Sequence, residues 1–333
     1  MLNTRRKSIA MLYFTPAGMA DFVATDVAIL RASFEVKPVL YSGKLHGIPD
    51  ALRVLQSVAR TNANVSWFGY DQAYLAVIFS KLLGKPSIVV LGGFDVSSEE
   101  WPGKRIPEKN QRRLKSVLRG ATVLLPISET ISNLARQFTD RTDLRVVPLG
   151  FDPGEFAPKG QKNGSVLTIA YVRKDYLERK GLLPYVRAAR LLPELHFYLV
   201  GKPLDNSIVD LQREASSNLA FTGWLSDGAL KEKLQRAAVY VQASTHEGFG
   251  SALAQAMLCE CVPVVTDRGA IPEVVGDTGV YVESGDPKSI AKGVRKALEN
   301  PEMGKRARAR VVKLFSLESR RSALLETIRG LTK

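Results

Sequence analysis

Cysteine, histidine and long apolar runs are all scarce in this 333-residue chain. The two cysteines, Cys259 and Cys261, stand one residue apart, too close for an easy disulfide and too few for a structural zinc site. That usage excludes a disulfide-stapled scaffold and fits a reducing, cytoplasmic compartment. His46, His196 and His246 are scattered and form no ligand cluster, so no metal site is implied. No stretch approaches the roughly 20 apolar residues that span a bilayer, so any membrane contact is peripheral. The N-terminal MLNTRRKSIAMLYF sets basic residues before an apolar run, as secretory signals do. That run is short, lacks a small-residue cleavage site and reads as a first strand. Internal sequence repeats and low-complexity tracts are lacking too.

Positive charge is plentiful. With 47 Lys and Arg against 33 Asp and Glu, the net charge is +14, which draws the chain to nucleic acid, an anionic membrane surface or phosphate-bearing small molecules. No zinc spacing or aromatic ribonucleoprotein motif is present and the cations are not confined to one segment, which argues against specific nucleic-acid binding. The length and a 45% hydrophobic content favour two domains.

Short apolar runs alternate with longer amphipathic stretches, the pattern of strand and crossover helix in a parallel sheet. The first half offers strands at 8–14, 35–41, 65–70, 87–92, 122–128 and 144–150. A charged, Gly-rich interval at 151–165 interrupts the rhythm and reads as a linker. The second half offers strands at 166–172, 195–201, 219–223, 238–244, 261–266 and 279–284, then a helix over 315–331 that starts from Ser316 as an N-cap. The expected domains are 1–152 and 153–314, each a doubly wound Rossmann-like sheet, facing one another across a cleft. The helix in 315–333 is expected to pack back toward the first domain.

The segment STHEGFGSALAQAM (244–257) joins a strand to a helix through Glu247, Gly248, Phe249 and Gly250. Such a junction presents bare backbone N–H groups to which a phosphate can come close, at the helix end that favours its charge. A buried strand follows and ends in Asp267-Arg268-Gly269, leading to Ile271-Pro272-Glu273. Taken together, Glu247 to Pro287 resembles the donor-binding signature of glycosyltransferase family 4, retaining nucleotide-sugar enzymes of the GT-B fold. Three other segments fall in that family's order: 149–158, the Arg…Lys-Gly loop at 171–181, and the strand, helix and strand of 221–244.

The resemblance implies transfer of a hexose from a nucleotide diphosphate sugar to a hydroxyl acceptor with retention. The acceptor would be a sugar, a lipid or a polysaccharide precursor. No tightly bound cofactor or metal is implied. Arg173 and Lys180 would neutralise the departing diphosphate, for which cations are the suitable chemistry. Glu247 would contact the donor sugar, Gly248, Phe249 and Gly250 would supply backbone N–H groups to the sugar or phosphates, and Ser251 would also bind the donor. Gln255 stands where the family has a second Glu on the ribose, and keeps an amide acceptor without the charge. In the first domain Gly18 lies in the place of a glycine-rich loop. Asp95 remains from a His-Gly-x-Asp element whose His is replaced by Gly92. The basic run 104–120, with Arg105, Lys109, Arg112, Arg113, Lys115 and Arg119, suits a helix on an anionic inner membrane face. A nucleotide-sugar epimerase of the same fold lacks the Glu-Gly-Phe-Gly run. A catalytically lapsed nucleotide-sugar binder would carry the changes at Gln255, Gly92 and the Gly18 loop.

Overall fold

The computed structural model describes residues 6–14, 19–43, 47–97 and 107–332. Gly18, His46 and Arg105, and the side chain of Lys109, lie outside them. The chain divides into two compact units, one made of Met1–Gly150 with Leu317–Lys333 and the other of Phe151–Ser316.

The first unit begins with β1 (Ser8–Phe14), α1 (Asp21–Arg31), β2 (Glu35–Tyr41), α2 (Gly47–Ala59) and β3 (Ala63–Trp67). It continues through α3 (Asp71–Leu83), β4 (Ser87–Leu91), α4 (Glu108–Gly120), β5 (Val123–Pro126) and α5 (Glu129–Arg136). Its five strands are all parallel, in the order β2-β1-β3-β4-β5. Every residue of β3 and β4 is buried, as expected of central parallel strands covered by helices on both faces. Pro38, which has no N–H for the ladder, lies in the edge strand β2.

The second unit runs β6 (Val166–Ile169), α6 (Lys174–Arg179), α7 (Leu182–Arg190), β7 (Phe197–Val200), α8 (Ser207–Glu214), β8 (Leu219–Gly223) and α9 (Asp227–Arg236). It then runs β9 (Val239–Gln242), α10 (Ser251–Leu258), β10 (Val262–Val265), α11 (Ile271–Val275), β11 (Val280–Tyr281), α12 (Pro287–Leu298) and α13 (Glu302–Leu314). The six parallel strands take the order β11-β10-β9-β6-β7-β8. From β6 the chain winds outward through β7 and β8, then returns to place β9 on the other side of β6. The strand order therefore reverses between β6 and β9, the position at which open parallel sheets commonly bind ligands beyond the carboxyl ends of their strands.

The last helix, α14 (Leu317–Leu331), belongs to the first unit. Its Arg320 is 3% exposed and forms a bidentate pair with Asp26 of α1, fully buried, at 2.6 and 2.7 Å. Trp67 donates its indole N–H to the same carboxylate at 2.9 Å.

Two expectations are corrected. Residues 144–150 form no strand. Only Arg145 and Val147 donate to β5, at Leu124 and Pro126, while the carbonyls of Val147 and Pro148 accept from the Arg320 guanidinium at 3.0 and 2.8 Å. A side chain thus takes the place of a ladder partner, and Pro148 has no N–H to extend one. The run 65–70 stops being a strand at Trp67, because Phe68 turns into the left-handed region with φ 66°.

Candidate functional site

The candidate site of the second unit is built from two segments. One follows β6 and runs from Arg173 through α6 to Gly181, and the other leaves β9 and carries Ser244 to Gly250. Lys180 and Glu247, 67 positions apart in sequence, meet there with Nζ 2.5 Å from Oε1. Their side chains are 19% and 9% exposed. Gln242 Nε2 and Ser244 Oγ donate to the same Oε1, each at 2.7 Å. Three donors thus converge on one carboxylate oxygen, Oε1. Burial alone pushes the Glu247 carboxyl up. The Lys180 charge and the hydrogen bonds from Lys180 and Ser244 outweigh it, the Arg179 charge adds to them, and the group is held below its ordinary value.

Two glycines permit this meeting. Gly181 has φ 63°, and a Cβ there would lie 2.1 Å from the Ala243 carbonyl, so the chain after Lys180 can pass the end of β9 only without a side chain. Gly269 has φ 57°, and its Cβ would lie 2.5 Å from the Glu247 carbonyl oxygen and 2.7 Å from its nitrogen. The Ala270 N–H donates to that carbonyl at 2.9 Å. The loop after β10 is thereby locked beneath Glu247.

Arg173 sits just before α6. It is held by Asp175 through a bidentate ion pair, with Nη2 2.5 Å from Oδ2 and Nε on Oδ1, and it lies over the Tyr176 ring. Arg179, not anticipated from the sequence, is 5% exposed, stacks its guanidinium 4.2 Å from the Tyr176 ring centre and adds a second cation near Glu247. Burial pushes His246 down to about 4 despite the opposing Glu247 charge, with Arg179 and Lys180 acting in the same direction. The imidazole is therefore neutral at pH 7.

No side chain caps α10, which starts after Gly250, so its first amides keep donor capacity. Ser251 and Gln255 are half-buried on that helix. Phe249 points inward. It is 4% exposed, stacks on Phe151 at 5.9 Å and meets Phe315 edge-on at 5.2 Å. Its side chain anchors the turn in the core, and only its backbone remains for a ligand.

In the first unit, Asp95 is 2% exposed and its carboxylate accepts the backbone N–H groups of Gly69, Gly93 and Gly92 at 2.8, 2.8 and 3.1 Å. Burial pushes this carboxyl up against the pull of those bonds. Asp95 ties the loop after β3 to the loop after β4. Gly92 has a steric reason: a Cβ there would come 2.2 Å from the Phe68 ring. That ring stacks on Tyr70 at 5.5 Å, and Tyr70 meets Phe14 edge-on. The left-handed turn at Phe68, invisible in composition, is what delivers the ring there.

Among the described residues no group of three or more His, Cys, Asp and Glu could hold a metal ion, and no helix is long and apolar enough to cross a membrane. Cys259 and Cys261 are free buried thiols, pushed up to about 12 and about 11 by burial.

Solved structures share both units. Anabaena HepE, solved with UDP, superposes with a TM-score of 0.80 at 17% identity, over 97% of this chain and 100% of that one. Sucrose-phosphate synthase from Thermosynechococcus elongatus gives 0.80 at 18% identity, over 98% and 99%. The fold is therefore that of the GT-B glycosyltransferases, two Rossmann-like parallel-sheet domains. Residues 155–313, within the second unit, match the family model described as "Glycosyl transferases group 1". The chain is 30% identical to the MMP alpha-(1->4)-mannosyltransferase of Mycolicibacterium hassiacum, over 62% of this chain and 53% of that protein. It is 26% identical to the GDP-mannose:cellobiosyl-diphosphopolyprenol alpha-mannosyltransferase of Xanthomonas oryzae, over 69% and 62%. The chain thus spans about half to three-fifths of these two relatives.

Proposed function

We propose that the protein transfers a hexose from a nucleotide diphosphate sugar to a hydroxyl acceptor with retention of anomeric configuration. The observation that carries this reading is the Lys180–Glu247 pair at the point where the strand order of the second unit reverses. It sets a cation suited to a leaving diphosphate beside a carboxylate suited to sugar hydroxyls.

Breaking the bond between the anomeric carbon and the phosphate oxygen leaves negative charge on the diphosphate. Lys180 lowers that barrier, as does Arg173 once Asp175 releases it, and the open amides at the start of α10 add donors. Glu247 holds sugar hydroxyls through Oε2, and Gln255 receives the ribose. The acceptor hydroxyl attacks from the face the diphosphate leaves, and its proton passes to the departing phosphate oxygen. Asp95, with its oxygens taken by backbone donors, shapes the first unit's loops instead of touching substrate.

The Xanthomonas oryzae relative, named for a cellobiosyl-diphosphopolyprenol acceptor, supports a lipid-linked acceptor. So does α4, whose Arg112, Lys115 and Arg119 are exposed; on an anionic membrane each would contribute about 1 kcal/mol. Failure to float with anionic liposomes at low salt would remove the membrane part of the proposal.

The central test is a thermal-shift screen of nucleoside diphosphates and nucleotide sugars, followed by product detection with candidate acceptors. Stabilisation by a nucleotide sugar, with diphosphate released only when acceptor is added, supports transfer. Binding without turnover on any acceptor would make the protein a lapsed binder, and stabilisation by polynucleotide alone would overturn the reading.

A further inference from the structure

We infer that Gln242 is a positioning residue for Glu247: its amide, held in one orientation by the Tyr240 hydroxyl, fixes which carboxylate oxygen faces the donor sugar. The inference rests on the nucleotide-sugar reading of the same site.

Gln242 ends β9, whose four residues are all buried, and is itself 5% exposed. An aliphatic side chain would fill this place without the cost of burying an amide. The amide is instead fully employed. Tyr240, two residues earlier and so on the same face of the strand, donates its hydroxyl to Gln242 Oε1 at 3.1 Å. That contact marks Oε1 as the acceptor and turns the NH₂ group the other way. Both N–H donors are then used at 2.7 Å, one on Ser244 Oγ and one on Glu247 Oε1. Ser244, its oxygen accepting from Gln242, donates its own O–H to Glu247 Oε1. The order of donation runs in one direction, Tyr240 to Gln242 to Ser244 to Glu247, and ends on an ionised carboxylate that donates to nothing.

This arrangement matters when a donor binds. Lys180 holds Glu247 in the unliganded protein and is also the cation for the diphosphate. As it turns to the phosphates, Glu247 loses its counter-charge, and a buried carboxylate in that position either takes a proton or moves. Gln242 and Ser244 keep two donors on Oε1, so the carboxylate stays charged and Oε2 stays directed at the sugar.

The test is calorimetric titration of the full chain with GDP and GDP-mannose, and with UDP and UDP-glucose, so that the sugar's share is the ratio of affinities within a pair. For the pair that the wild type binds, Gln242→Leu should leave the diphosphate affinity within about twofold and weaken the nucleotide sugar about tenfold, the value of one hydrogen bond to a charged group. Combined with Glu247→Gln, it should add almost nothing, because both changes remove one arrangement. Gln242→Glu should show the same loss at pH 8 and recover at pH 6, where two carboxyls share one proton and a donor to Glu247 is restored. Tyr240→Phe, which leaves Gln242 Oε1 without its hydroxyl donor and loosens the amide, should fall between wild type and Gln242→Leu.

A merely structural glutamine gives no such pH-dependent recovery. Equal weakening of diphosphate and nucleotide sugar, an unchanged ratio, or additivity with Glu247→Gln would overturn the inference. Should Gln242→Leu fail to fold, Gln242→Glu and Tyr240→Phe carry the same comparison. Wild-type protein that binds neither pair would instead overturn the nucleotide-sugar reading, and that outcome needs no variant to detect.

Discussion

Replacing Arg320 by leucine removes two hydrogen bonds from a carboxylate that has no access to water. Asp26 would keep only the Trp67 indole N–H, and the Val147 and Pro148 carbonyls would lose their guanidinium donor. Breaking a buried pair from one side costs about 3–5 kcal/mol, chiefly because the remaining charge is stranded. For a body built on Met1–Gly150 and Leu317–Lys333, at about 2–4 °C per kcal/mol, the first unit's melting temperature should fall by roughly 6–20 °C.

Removing both charges, in Asp26→Leu with Arg320→Leu, should recover much of the stability, since no ion is left stranded. Calorimetric unfolding reads both effects. A single variant that loses under about 1 kcal/mol, as an exposed ion pair would, or a double variant no better than the single, would refute the reasoning.

Lys180→Met should reduce transfer by about 10²–10³-fold, the worth of one donor to developing charge, while costing about 1–3 kcal/mol of stability. It should also move the acid limb of the activity profile to higher pH, because Lys180 is what holds the Glu247 carboxyl low. Asp175→Asn frees Arg173 from its bidentate partner and should tighten nucleoside diphosphate binding, read by calorimetry; weaker binding would show that Asp175 orients the arginine instead. Gly269→Ala drives a methyl into the Glu247 backbone and should abolish activity at a melting temperature only a few degrees lower; unchanged activity would dissociate this loop from the site. Cys259 and Cys261, buried and pushed up to about 12 and about 11, should react with a thiol reagent at pH 8 only as fast as the second unit opens, with urea accelerating both together.

The alternation of apolar runs revealed the strands because central parallel strands are buried on both faces, as β3, β4, β9 and β10 are, and so are mostly apolar. Residues 144–150 carry the same apolar signal without forming a strand, since the partner of their carbonyls is Arg320, about 170 positions away, and no local pattern encodes such a contact. In the site, the resemblance to the family's signature picks out Lys180 and Glu247 as candidates, and the crossover at β6 and β9 brings them together. Their shared helpers were not legible. Gln242 looks like a chance polar residue at a strand end, and Arg179 like one more member of a basic loop, until burial is known. The burial of the Phe249 side chain among Phe151 and Phe315 was equally hidden, since the turn suggests a use for its backbone alone. Asp95 kept its place in a familiar element, yet three backbone N–H groups use its carboxylate.

The second unit is, in topological language, an insertion: the chain departs the first unit after Gly150 and rejoins it at Leu317. The two ends of the inserted segment are already joined by the bridge between Phe151 and Ser316 and by the Phe151 N–H on the Phe315 carbonyl at 2.9 Å. A gene fragment for 151–316 would therefore close on itself and carry Lys180, Gln242 and Glu247 intact. A fragment for 1–150 would leave Asp26 facing an empty place where Arg320 belongs. Division of labour between the halves can be studied by excising the insert, but not by cutting the chain in two.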